Sequence, residues 1–201
     1  GNTLFVFVVD NGWTPSTRSH KSKKNFFHRT NESNRSPFED GLRTPILFRW
    51  DKQITPARHE LLCSSIDIAP TLLQLTGQSQ KAKVLPGINL LDAGARKRNA
   101  DRAVFGEIYP GDATNLGYPS RDIACRWVRQ GNFKLTIPQG NKLWGNYLNQ
   151  PALFNLAQDS DEKKNLYFQS SSQTRVKTLR RLLDKWWTTG DDAAVPKPPT
   201  N

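Results

Sequence analysis

The sequence predicts an α/β fold: one mixed sheet layer, incomplete within this chain, followed by a smaller C-terminal antiparallel sheet covered by a helix. Three observations predict it. Thr3-Leu4-Phe5-Val6-Phe7-Val8-Val9 is a continuous apolar run without polar alternation, the pattern of a strand buried on both faces in a parallel sheet. Residues 123–129 and 133–137 alternate with period two on either side of Gln130-Gly131-Asn132, the pattern of a half-buried antiparallel hairpin. Val176, Leu179, Leu182, Leu183 and Trp186 recur at helical spacing and give an amphipathic helix whose apolar face should cover that sheet.

The first run ends in Asp10, Asn11 and Gly12. Open α/β sheets bind ligands beyond the carboxyl ends of their strands, and Gly12 lets the chain turn there. A carboxylate beside a carboxamide offers two hard oxygens, suited to Ca²⁺ or Mg²⁺. The same tripeptide is also an ordinary turn signal, and the residues alone leave both readings open. The next segment carries six basic residues, Arg18, Lys21, Lys23, Lys24, Arg29 and Arg35, against the single acidic Glu32. It reads either as a solvated connection or as a basic rim at the mouth of an anion-binding cleft, and its departure from the Asp10–Asn11 end favours the rim.

Turn-rich residues 36–45 lead into Ile46, Leu47, Phe48 and Trp50, a second short buried strand. Residues 65–77 read as a helix with Pro70 in its first turn, Ser65 or Asp67 as cap and Gly77 as stop. Leu72, Leu73 and Leu75 should then pack on the sheet. Residues 78–101 form a connector rich in Lys, Arg, Gly and Pro, and the domain boundary falls within it: 1–95 in the α/β layer, 96–190 in the antiparallel subdomain, 191–201 as a disordered tail with three prolines. Ala103–Tyr109 reads as a further strand, and Leu153–Leu156 as a fourth. In the hairpin, Ile123, Cys125 and Trp127 share one face of their strand, and Phe133, Leu135 and Ile137 share one face of theirs. Arg175, Lys177, Arg181 and Lys185 lie on the solvent side of the final helix.

The 201 residues carry 29 basic against 18 acidic side chains, a net charge of +11. That favours anionic partners such as sulfated or phosphorylated polymers, nucleic acid or membrane surface, and its sign does not choose among them. No apolar run approaches the length of a membrane span. The sequence contains no methionine and opens at the edge of a strand, so the expectation is a fragment of a longer chain. Cys63 and Cys125 have no metal-ligand spacing and fit two buried thiols as well as one disulfide.

In order along the chain, several segments resemble one family, the sulfatases of the alkaline-phosphatase-like superfamily, in their C-terminal half. Leu4 to Gly12 is similar to the family's strand ending in Ser/Thr-Asp-Asn-Gly, and Arg35-Ser36-Pro37-Phe38-Glu39-Asp40-Gly41-Leu42-Arg43-Thr44-Pro45 to its glycine-arginine-proline segment. Ile66-Asp67-Ile68-Ala69-Pro70-Thr71-Leu72-Leu73 resembles its Asp-x-x-Pro-Thr helix. Arg126 to Leu135 resembles a hairpin ending in Lys-Leu. Leu153-Phe154-Asn155-Leu156 with Asp159, Asp161, Glu162, Asn165 and Leu166 resembles Leu-Tyr-Asp-Leu followed by Asp-Pro-x-Glu-x-x-Asn-Leu.

The resemblance implies an alkaline-phosphatase-like fold and hydrolysis of sulfate esters by a hydrated formylglycine, made from Cys or Ser in a Cys/Ser-x-Pro-x-Arg motif, with bound Ca²⁺ as Lewis acid. Asp10 and Asn11 match the family's metal-ligand pair. The nucleophile, the remaining metal carboxylates and the catalytic His are expected in an N-terminal half outside this sequence. No catalytic residue is therefore assigned here, and the chain by itself is expected to be inactive. The substrate-binding candidates are Lys21, Lys23, Lys24, Asn34, Arg35 and Asp112. Two positions depart from the family pattern: Asn34 stands where a sulfate-contacting Lys is usual, and Gly111 where a His faces the substrate. A carboxamide cannot neutralise charge developing on the transferring group. The implied partner is a sulfated small molecule or saccharide, not nucleic acid, with no membrane span, an undetermined oligomeric state and a periplasmic or secreted location. The alternatives are a non-catalytic relative that binds anionic glycans and a phosphate or phosphonate ester hydrolase of the same superfamily.

Overall fold

The computed structural model describes residues 1–12, 37–109, 114, 117–139 and 150–187. The first strand, β1 (Phe5–Val8), pairs with β2 (Ile46–Arg49), with Phe7 opposite Leu47. The pair is antiparallel, not parallel, and forms a two-stranded sheet of its own. Nor is it buried on both faces: Phe5 is 62% exposed, Phe7 56% and Leu47 58%. Apolar β-branched and aromatic side chains favour an extended strand whatever lies above them, so the run located the strand without reporting its cover. Among the described residues between the two strands is a short helical turn, α1 (Glu39–Leu42).

The helix expected over residues 65–77 is a 3₁₀ turn, Ser65–Asp67, running into α2 (Ile68–Leu75). Asp67 is fully buried, and its carboxylate gathers three donors: Ser64 N at 2.8 Å, Ile88 N at 2.9 Å and Arg102 Nη1 at 2.9 Å. Thr71, also buried, accepts from Leu90 N at 2.9 Å and donates to the Asp67 carbonyl at 2.7 Å. The Asp-x-x-Pro-Thr segment thus uses its polar atoms to fasten the strap that follows. Leu72, Leu73 and Leu75 are only half-buried, and among the described residues α2 packs chiefly on α3 (Ser79–Lys83) and not on the sheet as expected. The presumed connector contains both α3 and α4 (Ala93–Arg98), the latter capped by Asp92 Oδ1 accepting from Ala95 N at 3.1 Å.

Four strands then form an antiparallel meander in chain order: β3 (Ala103–Ile108), β4 (Cys125–Gln130), β5 (Phe133–Pro138) and β6 (Ala152–Asn155). The β4–β5 turn uses Gly131 at φ 55°, a left-handed conformation that suits glycine. The final helix, α5 (Gln173–Trp186), lays Val176, Leu179 and Leu183 on Val128, Leu135, Ile137 and Leu153. Arg126, at 2% exposure, finishes that helix by donating to the Trp187 carbonyl and to Asp184 Oδ1 at 3.2 Å.

The sheet is not half-buried. Cys125 and Trp127 face away from α5, and this second face is also covered: Cys125, Ala152 and Phe154 pack against Phe38, with Leu42 and Leu156 at the margin. Lys134 and Thr136, which alternation assigns to solvent, are both fully buried there. On the same face the Trp127 ring lies over Gly106, its partner in register, so closely that a Cβ at Gly106 would stand 2.5 Å from the ring.

Candidate functional site

Asp10 and Asn11 sit on the turn that leaves β1, with Asp10 exposed and Asn11 half-buried. Two local hydrogen bonds shape the turn. Asp10 Oδ1 accepts from Asn11 N at 2.9 Å, and Asn11 Nδ2 donates to the Gly12 carbonyl at 3.0 Å. With its amide nitrogen used locally, Asn11 has Oδ1 as its remaining side-chain polar atom, a hard oxygen beside the Asp10 carboxylate. The donor chemistry fits a hard divalent cation and does not fill its shell, since Ca²⁺ takes about six to eight oxygens. Among the described residues no group of three or more His, Cys, Asp or Glu side chains is placed to hold a metal ion.

Gly12 holds the turn against α1. Its N–H donates to the Gly41 carbonyl at 2.8 Å, and a Cβ at Gly12 would stand 2.2 Å from the Asp40 carbonyl oxygen. Only glycine allows the two backbones this close. The glycine expected to release the chain thus also docks the turn.

Helix α1 is itself tied to the second sheet by a buried cluster of charges. Glu39 N donates to Glu162 Oε2 at 2.6 Å, Glu39 Oε1 lies 3.2 Å from Lys134 Nζ, and Glu39 Oε2 lies 2.5 Å from Arg129 Nη1. Lys134 Nζ is also 2.9 Å from Glu162 Oε1, close enough for an ion pair although off the line of a good hydrogen bond. Two cations thus meet two carboxylates. Burial pushes the Glu162 carboxyl up from its ordinary range, and the Lys134 ammonium and the Glu39 N–H oppose that shift. Glu162 adopts φ 52°, an uncommon conformation for a side chain of its kind. Nearby, Asn165 Oδ1 accepts from Leu153 N at 3.1 Å and Tyr167 N at 2.9 Å, while Asp159 accepts from Lys163 N and Lys164 N at 3.0 and 2.8 Å. The acidic stretch after β6 is architecture that delivers Glu162.

Sequence reasoning missed this cluster. Its members come from α1, β4, β5 and the loop after β6, so no local pattern joins them. The other candidates, Lys21, Lys23, Lys24, Asn34, Arg35 and Asp112, lie outside the described residues, as does Gly111. Both cysteines are free thiols, Cys63 exposed and Cys125 buried. No helix among the described residues is long and apolar enough to cross a membrane.

The fold agrees with that of solved sulfatases. One structure from work on glycosaminoglycan metabolism by Bacteroides thetaiotaomicron matches 89% of this chain and 35% of its own at TM-score 0.62 and 19% identity. A sulfatase acting on 2-O sulfates of glycosaminoglycans matches 92% and 36% at TM-score 0.58 and 22% identity. In sequence, arylsulfatase A of Bos taurus is 29% identical over 175 residues, 83% of this chain and 34% of the relative. An ulvan-active sulfatase of Formosa agariphila is 25% identical over 188 residues, 80% of this chain and 31% of the relative. The family described as N-sulphoglucosamine sulphohydrolase, C-terminal, matches residues 31–188. The fold is therefore that of these solved sulfatases, and the chain belongs to the N-sulphoglucosamine sulphohydrolase C-terminal family. It spans about a third of the length of the two sequence relatives named.

Proposed function

We propose that this chain is part of a sulfuric ester hydrolase acting on a sulfated saccharide, with Asp10 and Asn11 supplying part of a calcium site. One observation carries the reading: at the end of β1, a carboxylate and a carboxamide stand together on a turn locked through Gly12 to Gly41, in a chain of this family. Calcium, when bound, would withdraw charge from sulfate oxygens. The residues of this chain would hold two of its ligands in place and gather cations around the anion. Lys21, Lys23, Lys24 and Arg35 are the cations, with Asn34 and Asp112 as polar contacts. The chain contains no Cys/Ser-x-Pro-x-Arg segment, so the formylglycine would come from elsewhere in the complete protein. A saccharide substrate is supported by relatives whose names specify ulvan activity and endo-4-O-sulfatase activity. A periplasmic or secreted location goes with polymeric substrates of that kind.

The test is turnover of aryl sulfates and sulfated oligosaccharides by the complete protein, with and without chelator. Activity lost with chelator and in Asp10→Ala supports the reading. A second reading is favoured by Asn34 and Gly111, which place neutral residues where the family resemblance expects Lys and His. On that reading the protein binds anionic glycans without turnover. Saccharide binding without sulfate release, unaffected by Asp10→Ala, would decide for it.

A further inference from the structure

We propose that the buried cluster of Glu39, Lys134, Glu162 and Arg129 is a positioning device for the Asp10–Asn11 turn, acting through α1. The part of this inference that concerns metal affinity rests on the function proposed above; the mechanical part does not. The connection is short and continuous. Lys134 and Arg129 project from neighbouring strands and hold the two oxygens of the Glu39 carboxylate, while Glu162 takes the Glu39 N–H. Both the side chain and the backbone of the first residue of α1 are thereby fixed. Two residues on, the Gly41 carbonyl accepts from Gly12 N at 2.8 Å, and the Asp40 carbonyl closes on the space beside Gly12. Asp10 and Asn11 are the next residues back along the chain.

Stability alone does not account for such a cluster. Burying Lys134 and Glu162 completely, with Glu39 and Arg129 partly exposed beside them, carries a desolvation cost that apolar side chains of similar volume would avoid, and such replacement is often neutral or stabilising. Directed contacts supply what apolar packing does not, a fixed place and orientation for one backbone segment. Here that segment is α1, and among the described residues the Gly12 N–H joins the Asp10–Gly12 turn to it through the Gly41 carbonyl. The second sheet, which carries none of the proposed metal ligands, thus sets where the Asp10 and Asn11 oxygens stand.

Hydrogen exchange and calcium titration of the complete protein test this. Glu39→Gln leaves Lys134 and Arg129 without their shared carboxylate and should speed exchange of the segment containing residues 10–12 at least tenfold, with calcium affinity falling about tenfold. Arg102→Gln is the control. It breaks an equally buried pair, with Asp67, that does not touch the turn. It should lower the melting temperature while leaving exchange at 10–12 and calcium affinity as in the wild type. Gly12→Ala keeps the cluster and forces the turn off α1, so it should release 10–12 with exchange of 125–138 unchanged; it also serves if Glu39→Gln does not fold. Unchanged exchange at 10–12 in a folded Glu39→Gln protein, or equal release by Arg102→Gln, overturns the inference. A wild type that binds no calcium while Glu39→Gln and Gly12→Ala still release the turn upholds the positioning and defeats the metal reading alone.

Discussion

Lys134 is fully buried, with its ammonium between Glu39 and Glu162. Removing one member of a buried charge cluster leaves the others uncompensated, at a cost of about 3–5 kcal/mol. Lys134→Met should lower stability by about that amount in urea unfolding, and a loss below about 1 kcal/mol would mean that water reaches the cluster. Cys125 gives a second test at this scale. Burial pushes its thiol up to about 12, against about 8.5 in an unfolded chain. Its folded value is the higher one, so the stability linked to this group is complete below about pH 8.5 and is lost as pH rises toward the folded value. In the native protein at pH 8 a thiol reagent should label Cys63 and spare Cys125 until denaturant is added; rapid native labelling of both would show that the first residues of β4 open. The sequence left thiols and disulfide equally open, because pairing depends on where the two segments of the chain lie. It also misplaced Lys134. Phe133-Lys134-Leu135-Thr136-Ile137 alternates perfectly, and alternation cannot show that residues from α1 will cover the polar face.

The hairpin and α5 were legible as elements because each carries one periodicity over enough residues to fix a face. Leu179 sits at the centre of the helix contact, fully buried, and Leu179→Ala should cost about 2–5 kcal/mol through lost contacts and the cavity left behind. Gly106 is the opposite case, a place where adding one carbon is the injury. Its Cβ would meet the Trp127 ring at 2.5 Å, so Gly106→Ala should cost about 1–3 kcal/mol by overpacking. Full stability in that variant would show that Trp127 has another rotamer open to it. The first strand was legible only in part. Its apolar run gave the right conformation, but direction and burial depend on neighbours, and the neighbour it meets is the antiparallel β2. For α2 the apolar residues misled for a related reason. The helix is held by Asp67 and Thr71, polar groups that a hydrophobic pattern does not weigh.

For the whole molecule, the fold follows the sulfatase pattern, while the chemistry proposed for it calls for a nucleophile segment that these 201 residues do not contain. A net charge of +11 suits an anionic substrate. Yet Asp10 and Asn11 provide three side-chain oxygens, one of them already accepting from Asn11 N, where Ca²⁺ takes about six to eight, and a partly filled shell leaves most of the ion's hydration in place. The 201-residue chain should therefore bind calcium more weakly than about 1 mM by calorimetric titration. It should also show no turnover of an aryl sulfate, because it contains no Cys/Ser-x-Pro-x-Arg segment from which the nucleophile could be made and a barrier this high needs nucleophile, metal and charge stabilisation held together. The complete protein should bind calcium at least a hundredfold more tightly, and Asp10→Ala should remove most of that difference. Micromolar binding by the chain alone, abolished by Asp10→Ala, would place a full set of ligands within these residues and refute the division of the site between this chain and the rest of the protein.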